Sequence, residues 1–204
     1  PGSRGENVGS LNGYTGAVTV MTTEERRERI VDAADRLFYS RGIGQVGMDA
    51  VRDESGVSLK AIYREFPSKE DLVLAVLERR HRMWVAGVEG AVARAGNPRE
   101  RLLAVYDFLA EWFSEKDFRG CGFINAWGEL GAASSRVAEA VRAHKRSFQE
   151  QVDRLVAEAG GPPTLGPQLA ILAEGAQTTA AIARSPDAAA AAREAARTLI
   201  DAAL

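Results

Sequence analysis

Residues 47–66, GMDAVRDESGVSLKAIYREF, constrain this chain more than any other stretch. Met48, Val51 and Arg52 share one face of a short helix, which Ser55-Gly56-Val57-Ser58 interrupts. Glycine enters a tight turn without steric cost, and a serine just beyond it caps the helix that follows. Ala61, Ile62 and Phe66 give that second helix an inward face and leave Ser58, Leu59, Lys60, Tyr63 and Arg64 outside. Helix, glycine-bearing turn and second helix make a helix-turn-helix, whose second helix lies in the major groove of DNA. A plain helical hairpin in a bundle has the same pattern, so the flanks decide.

Upstream, Thr22-x-x-Glu25 forms a capping box that starts a helix at Thr22 or Thr23. Ile30, Ala33, Ala34, Leu37 and Phe38 supply its inner stripe, and Arg41-Gly42 ends it. Downstream, Ser68-Lys69-Glu70-Asp71 after Pro67 opens a helix through Leu72, Val73, Val76 and Leu77 to about Val92, long enough to join a head to a body. With RIVDAADRLFYSRGIGQVGMDAV before the motif and YREFPSKEDLVLAVL from Tyr63 onward, the block over about residues 25–77 resembles the DNA-binding head of the TetR family of bacterial transcriptional regulators.

That resemblance implies an operator on double-stranded DNA and a body whose small-molecule effector spreads two heads and releases them. It also implies that Tyr63 and Lys69 hold DNA backbone. Two positions depart from the family pattern. The common Tyr-x-His-Phe reads Tyr63-Arg64-Glu65-Phe66, which puts an anion where a phosphate donor is frequent, and Gly47 stands where Ser or Thr usually caps the second helix. Glu65 either pairs with Arg64 or Lys69 or faces away from the duplex.

The 204 residues suit one head, 21–68, and one larger body, 69–204, with 46% hydrophobic residues to build a shared core. Net charge is -2, and residues 21–72 carry nine Lys/Arg against eleven Asp/Glu, so phosphate affinity has to come from the placement of cations and not from their sum. The longest apolar runs, LVLAVL and AAAAA, fall far short of a membrane span. Cys121 is the single cysteine, so no intramolecular disulfide forms, in keeping with a cytoplasmic protein. Residues 1–20, rich in Gly, Ser and Asn, read as a disordered leader or a vector-derived remnant, with Met21 a natural start.

Asn97-Pro98 starts a further helix with inner residues Leu102, Leu103, Tyr106, Leu109, Ala110 and Phe113. A loop holding FRGCGF leads to a short apolar helix through Trp127 and Leu130. Ser134 or Ser135 opens a long helix to about Ala159, which Gly160-Gly161-Pro162-Pro163 breaks. Two Ala-rich helices follow, divided at Ser185-Pro186-Asp187. Their stripes are Leu165, Leu169, Leu172, Ala176, Ala180, Ala183 and Ala188, Ala192, Ala195, Leu199, Ala203. No strand pattern occurs. The expectation is all-α, about nine helices.

On the head, Ser58 and Lys60 suit base edges or phosphate, and Leu59 or Ala61 a thymine methyl. Tyr63 either meets phosphate or packs its ring on the first helix, and Lys69 either meets phosphate or is simply solvated. Arg26 and Arg64 add cations, and Gly47 and Met48 begin a helix with free N–H groups. In the body, Met83, Trp84, Tyr106, Phe108, Trp112, Phe123, Trp127 and Phe148 either line an apolar pocket or pack as plain core. Asn125, Glu129, His144 and Gln177 are its candidate polar handles. FRGCGFINAWGEL also resembles a segment from a branch of the family that senses drug-like or metabolite effectors. One recognition helix reads only a few base pairs, so a homodimer through the last two helices on a near-palindrome is expected. Cys121 is either a redox thiol or a small buried hydrophobe.

No Gly-rich phosphate loop, Gly-x-Ser-x-Gly or His-Glu-x-x-His is present, and the two histidines are far apart, so no enzyme, metal site or cofactor is expected. The sequence thus points to an effector-released repressor. The alternative is an all-α small-molecule carrier or interaction module whose head no longer binds DNA.

Overall fold

A computed structural model describes residues 21–204, and the leader expected over 1–20 lies outside them. Nine helices and no strand occur among the described residues. The head consists of α1 (Thr23–Arg41), α2 (Met48–Ser55) and α3 (Leu59–Glu65). Thr22 and Glu25 close the capping box of α1, and Gly42 ends it at φ +90. Gly56, at φ +67, makes the turn between α2 and α3, and Ser58 caps α3 by accepting the Ala61 N–H. These are the turn and the cap on which the helix-turn-helix reading depends. Ile30, Leu37, Val46, Val51, Ile62 and Phe66 meet in the head's centre.

α4 (Lys69–Arg94) leaves the head through the Ser68–Asp71 capping box and runs 26 residues into the body. Around it pack α5 (Pro98–Phe113), α6 (Gly122–Leu130) and α7 (Ser135–Glu158), followed by α8 (Leu165–Ala183) and α9 (Asp187–Ala203). Asn97 caps α5 with Pro98 in the first turn. The buried side chains fall into two clusters. One holds the head, the first half of α4, and Cys121, Phe123, Ala126, Val137 and Val141 from α6 and α7; the other holds the rest of the bundle. The cluster that holds the head thus continues past residue 68 into α4 and takes in Cys121, Phe123 and Ala126 around α6, while α6 itself packs on α7 and α4.

The inner stripe of α9 is Ala189, Ala192, Ala196 and Ile200, one residue on from the expected Ala188, Ala195 and Leu199, which are half-buried. In α8, Leu172 is half-buried and Ala183 exposed. Alanine at almost every position removes the contrast that a periodicity argument needs. Among the described residues no helix is long and apolar enough to cross a membrane.

Candidate nucleic-acid interface and body cavity

Burial of Ile62 and Phe66 fixes the rotation of α3, and Ser58, Lys60, Tyr63 and Arg64 project from its outer side, with Tyr63 47% exposed. Leu59 and Ala61 are half-buried at its edge. Tyr63 is therefore not a core ring packed on α1. Gly47 precedes α2 with open space where a Cβ would stand, and no side chain caps that helix. Met48 is half-buried against the head core.

Arg26, Glu65 and Lys69 have partners in the structure of which the sequence reading named only Arg64, for Glu65. Glu65 is held by Arg26 of α1, whose guanidinium donates to its carboxylate at 3.2 Å, with Arg64 at 3.8 Å. Both Arg26 and Glu65 side chains are largely covered, 20% and 13% exposed. The anion that departs from the family pattern thus faces α1, and Arg26, expected at a phosphate, is committed inside the head. Lys69 is a second correction. Its ammonium donates to the Ile43 carbonyl at 2.5 Å beside the Phe38 ring, and burial lowers its pKa, so it is neither solvated nor free for phosphate.

The body contains a cavity of about 210 Å³ where α4, α5, α6 and α7 converge. Met83, Trp84, Phe108, Trp112 and Phe123 line it, joined by Arg80, Glu115, Cys121, Gly122 and His144. Trp84 is the hub, with Phe108, Trp112, His144 and Phe148 standing edge-on at 5.1 to 5.9 Å. His144 stacks on Phe123 at 3.6 Å and shares a hydrogen bond with His81 of α4, Nδ1 to Nδ1 at 3.1 Å. Burial first, then Lys145 and His81, push its pKa down to about 3, so its ring is neutral. Phe108 lies on the bare Cα of Gly87, where a Cβ would run into the ring. Cys121 is buried in the wall, with Lys145 Nζ 3.5 Å from its Sγ.

Six of the expected pocket residues lie elsewhere. Tyr106 is buried and donates to the Leu169 carbonyl at 2.7 Å, pinning α5 to α8. Phe148 backs Trp84 without reaching the cavity wall, and Gln177 is buried with its amide on the Ala173 carbonyl. Asn125 is exposed and donates to the Arg119 carbonyl. Trp127 is 45% exposed in a separate outer groove beneath Arg142. Glu129, a candidate polar handle, accepts the backbone N–H groups of Ile43 and Gly44 in the head.

Arg80 went unnoticed in the sequence because nothing in its spacing reveals its long-range partners. It lines the cavity, pairs with Asp35 and lies over the Tyr39 ring of α1 at 3.8 Å. The Tyr39 hydroxyl donates to the Gly120 carbonyl and accepts from the Arg119 N–H. Cavity wall and head are thus joined by one polar chain. Among the described residues, no group of three or more His, Cys, Asp or Glu is placed to hold a metal ion.

Residues 30–76 match the family described as bacterial regulatory proteins, tetR family. The transcriptional activator FasR of Mycolicibacterium smegmatis is 38% identical over 101 residues, 50% of this chain and 46% of FasR. The helix-turn-helix regulator Rv1255c of Mycobacterium tuberculosis is 35% identical over 126 residues, 62% of each chain. The chain thus spans about half to three fifths of these curated relatives. The similarity to the crystal structure of SCO4454, a TetR-family transcriptional regulator from Streptomyces coelicolor, reaches much further, with a TM-score of 0.82 and 29% identity over 88% of this chain and 96% of that one. The matching head, the helical body behind it and these likenesses agree: residues 30–76 match the tetR family of bacterial regulatory proteins, and the whole fold is similar to that of a TetR-family transcriptional regulator.

Proposed function

We propose that the protein is a transcriptional regulator that binds operator DNA as a homodimer and leaves it when a small, largely apolar effector enters the body cavity. The observation that carries this reading is the orientation of α3. Its apolar side is locked into the head, so that Ser58, Lys60, Tyr63 and Arg64 are presented together to solvent. Lys60 and Ser58 suit base edges or phosphate, while Tyr63 and Arg64 suit the flanking backbone. Arg26 and Lys69 support the head from within and drop out of the contact set.

The proposed dimer uses α8 and α9. Ile171 and Ile182 are 71% and 80% exposed on α8, with Gly175 and Thr178 exposed between them. At i, i+4, i+7 and i+11 these lie on one side of the helix, a seam suited to close approach by a second copy. The release step follows the polar chain from Arg80 to Asp35 and Tyr39. An effector that favours one arrangement of the cavity wall thereby biases the head, by as much as its affinity differs between the two arrangements. Repression follows where the operator overlaps a promoter. FasR, a relative named an activator, shows that a related head also serves the opposite sign.

Hydroxyl-radical footprinting on promoter fragments tests the reading. Two protected patches about one helical turn apart on the same face are expected from a two-fold dimer. Absence of protection on every fragment favours the carrier or interaction module.

A further inference from the structure

The charged groups around the body cavity leave one carboxylate over. Arg80 is occupied by Asp35 of α1, and Lys145, behind Cys121, is occupied by Glu174 of α8 at 2.5 Å. His144 is neutral through burial. Glu115, just beyond α5, lines the cavity, is exposed to solvent, and has no cation within 4 Å among the described residues. Four aromatic side chains, Trp84, Phe108, Trp112 and Phe123, make up most of the remaining wall. Phe108 and Trp112 stack at 6.4 Å, and Trp84 meets Trp112 edge-on at 5.7 Å.

Aromatic faces carry negative potential, strongest over indole, and attract a cation that approaches within about 6 Å. The rim carboxylate acts in the same direction. An anion meets unfavourable potential from both, and a neutral molecule gains only from apolar burial. We infer that the cavity is built for a small organic monocation, an alkyl- or arylammonium, whose charged end sits between the Trp84–Trp112 walls and the Glu115 carboxylate. This inference rests on the reading of the body as an effector domain and deepens it. The volume limits the ligand, because 210 Å³ lies below the ~300 Å³ at which drug-sized pockets begin. About ten non-hydrogen atoms fit, the size of one phenyl ring with a trimethylammonium group.

The test compares phenyltrimethylammonium with tert-butylbenzene, which has the same shape and no charge. Each is titrated into the full chain by calorimetry and into the protein–DNA complex by anisotropy. The cation is expected to bind at least about tenfold more tightly than the neutral isostere. Glu115→Gln is expected to weaken the cation about two- to fivefold, the range for an exposed ion pair, while leaving tert-butylbenzene unchanged. If the neutral compound binds as tightly as the cation and releases DNA, the charge class is wrong and the effector cavity stands. An unchanged cation affinity in Glu115→Gln removes the carboxylate from the site. Failure of both compounds to bind or to release DNA overturns the monocation site and the effector reading of this cavity together.

Discussion

Glu129, on the last turn of α6, holds Gly44 in the head, its Oε2 accepting the Gly44 N–H at 2.7 Å while Oε1 takes the neighbouring Ile43 N–H at 2.9 Å. Lys69 of α4 holds the carbonyl of the same Ile43 from the other side. The loop between α1 and α2 is thus gripped at its donors by α6 and at its acceptor by α4. The other end of α6 carries Cys121, Gly122 and Phe123 into the cavity wall. Nine residues at about 1.5 Å each make this helix a strut of about 13 Å from cavity to head.

Glu129→Ala leaves two backbone N–H groups without their carboxylate. Hydrogen bonds to a charged group contribute about 1.5–3 kcal/mol each, reduced here because the site is partly open to water. A loss of about 1–3 kcal/mol in urea unfolding is expected, with a weakened effector response. An unchanged midpoint would mean that the grip carries no load.

Lys69→Ala and Lys60→Ala separate an internal cation from an outward one. Lys60→Ala is expected to leave the thermal midpoint within about 2 °C, since surface changes fall within about 0.5 kcal/mol, and to weaken operator binding. Lys69→Ala is expected to lower the midpoint by several degrees, because it strips the buried Ile43 carbonyl of its donor. Calorimetry on the two variants checks this.

Caps and turns were legible because each depends on residues adjacent in the chain: Thr22 with Glu25, Ser68 with Asp71, Asn97 with Pro98, and Gly56 at positive φ. Partners brought from afar were not. Arg26 meets Glu65, Tyr106 meets Leu169 and Glu129 meets Gly44 across separations that leave no periodic trace. The cavity lay between these cases. Aromatic density in α4 to α7 marked Met83, Trp84, Phe108, Trp112 and Phe123, but Tyr106 and Phe148 belong to the same density and point into plain core. Helix rotation alone divides them, and a stripe argument resolves rotation too coarsely. The Ala-rich α9 shows the extreme, where the stripe slips by one residue.

Gly87→Ala tests how tightly α5 rests on α4. The added Cβ meets the Phe108 ring, and overpacking costs about 1–3 kcal/mol, while alanine regains about 1 kcal/mol of helix propensity. A net loss of up to about 2 kcal/mol is expected in urea unfolding, together with reduced ligand binding as Phe108 swings into the cavity. A stabilised protein with unchanged binding would show that α4 and α5 separate freely.

His144 sets an acid limb of stability. Its folded pKa, about 3, lies below the ordinary 6.5, so protons prefer the unfolded chain. The stability this group contributes is full above about pH 6.5 and falls as pH drops toward 3. The groups around it are His81 of α4, Lys145 beside it on α7, Phe123 of α6, and Arg80 and Cys121 in the same wall. Protonation on Nδ1 also breaks the bond to His81, which needs one donor and one acceptor nitrogen. Between pH 6 and 4.5 a slope of up to about 1.4 kcal/mol per pH unit is expected, and His144→Phe is expected to flatten it. An equal slope in both proteins would assign the limb to other groups.

The salt dependence of operator affinity tests the central claim most directly, the claim that the outer side of α3 meets the duplex in both copies of a dimer. Log affinity is expected to fall linearly with log salt in the wild type. Removal of Lys60 or Arg64 from both subunits is expected to reduce the slope by about two, one for each lost phosphate contact per subunit. A slope unchanged by either substitution, or an affinity independent of salt, would contradict it.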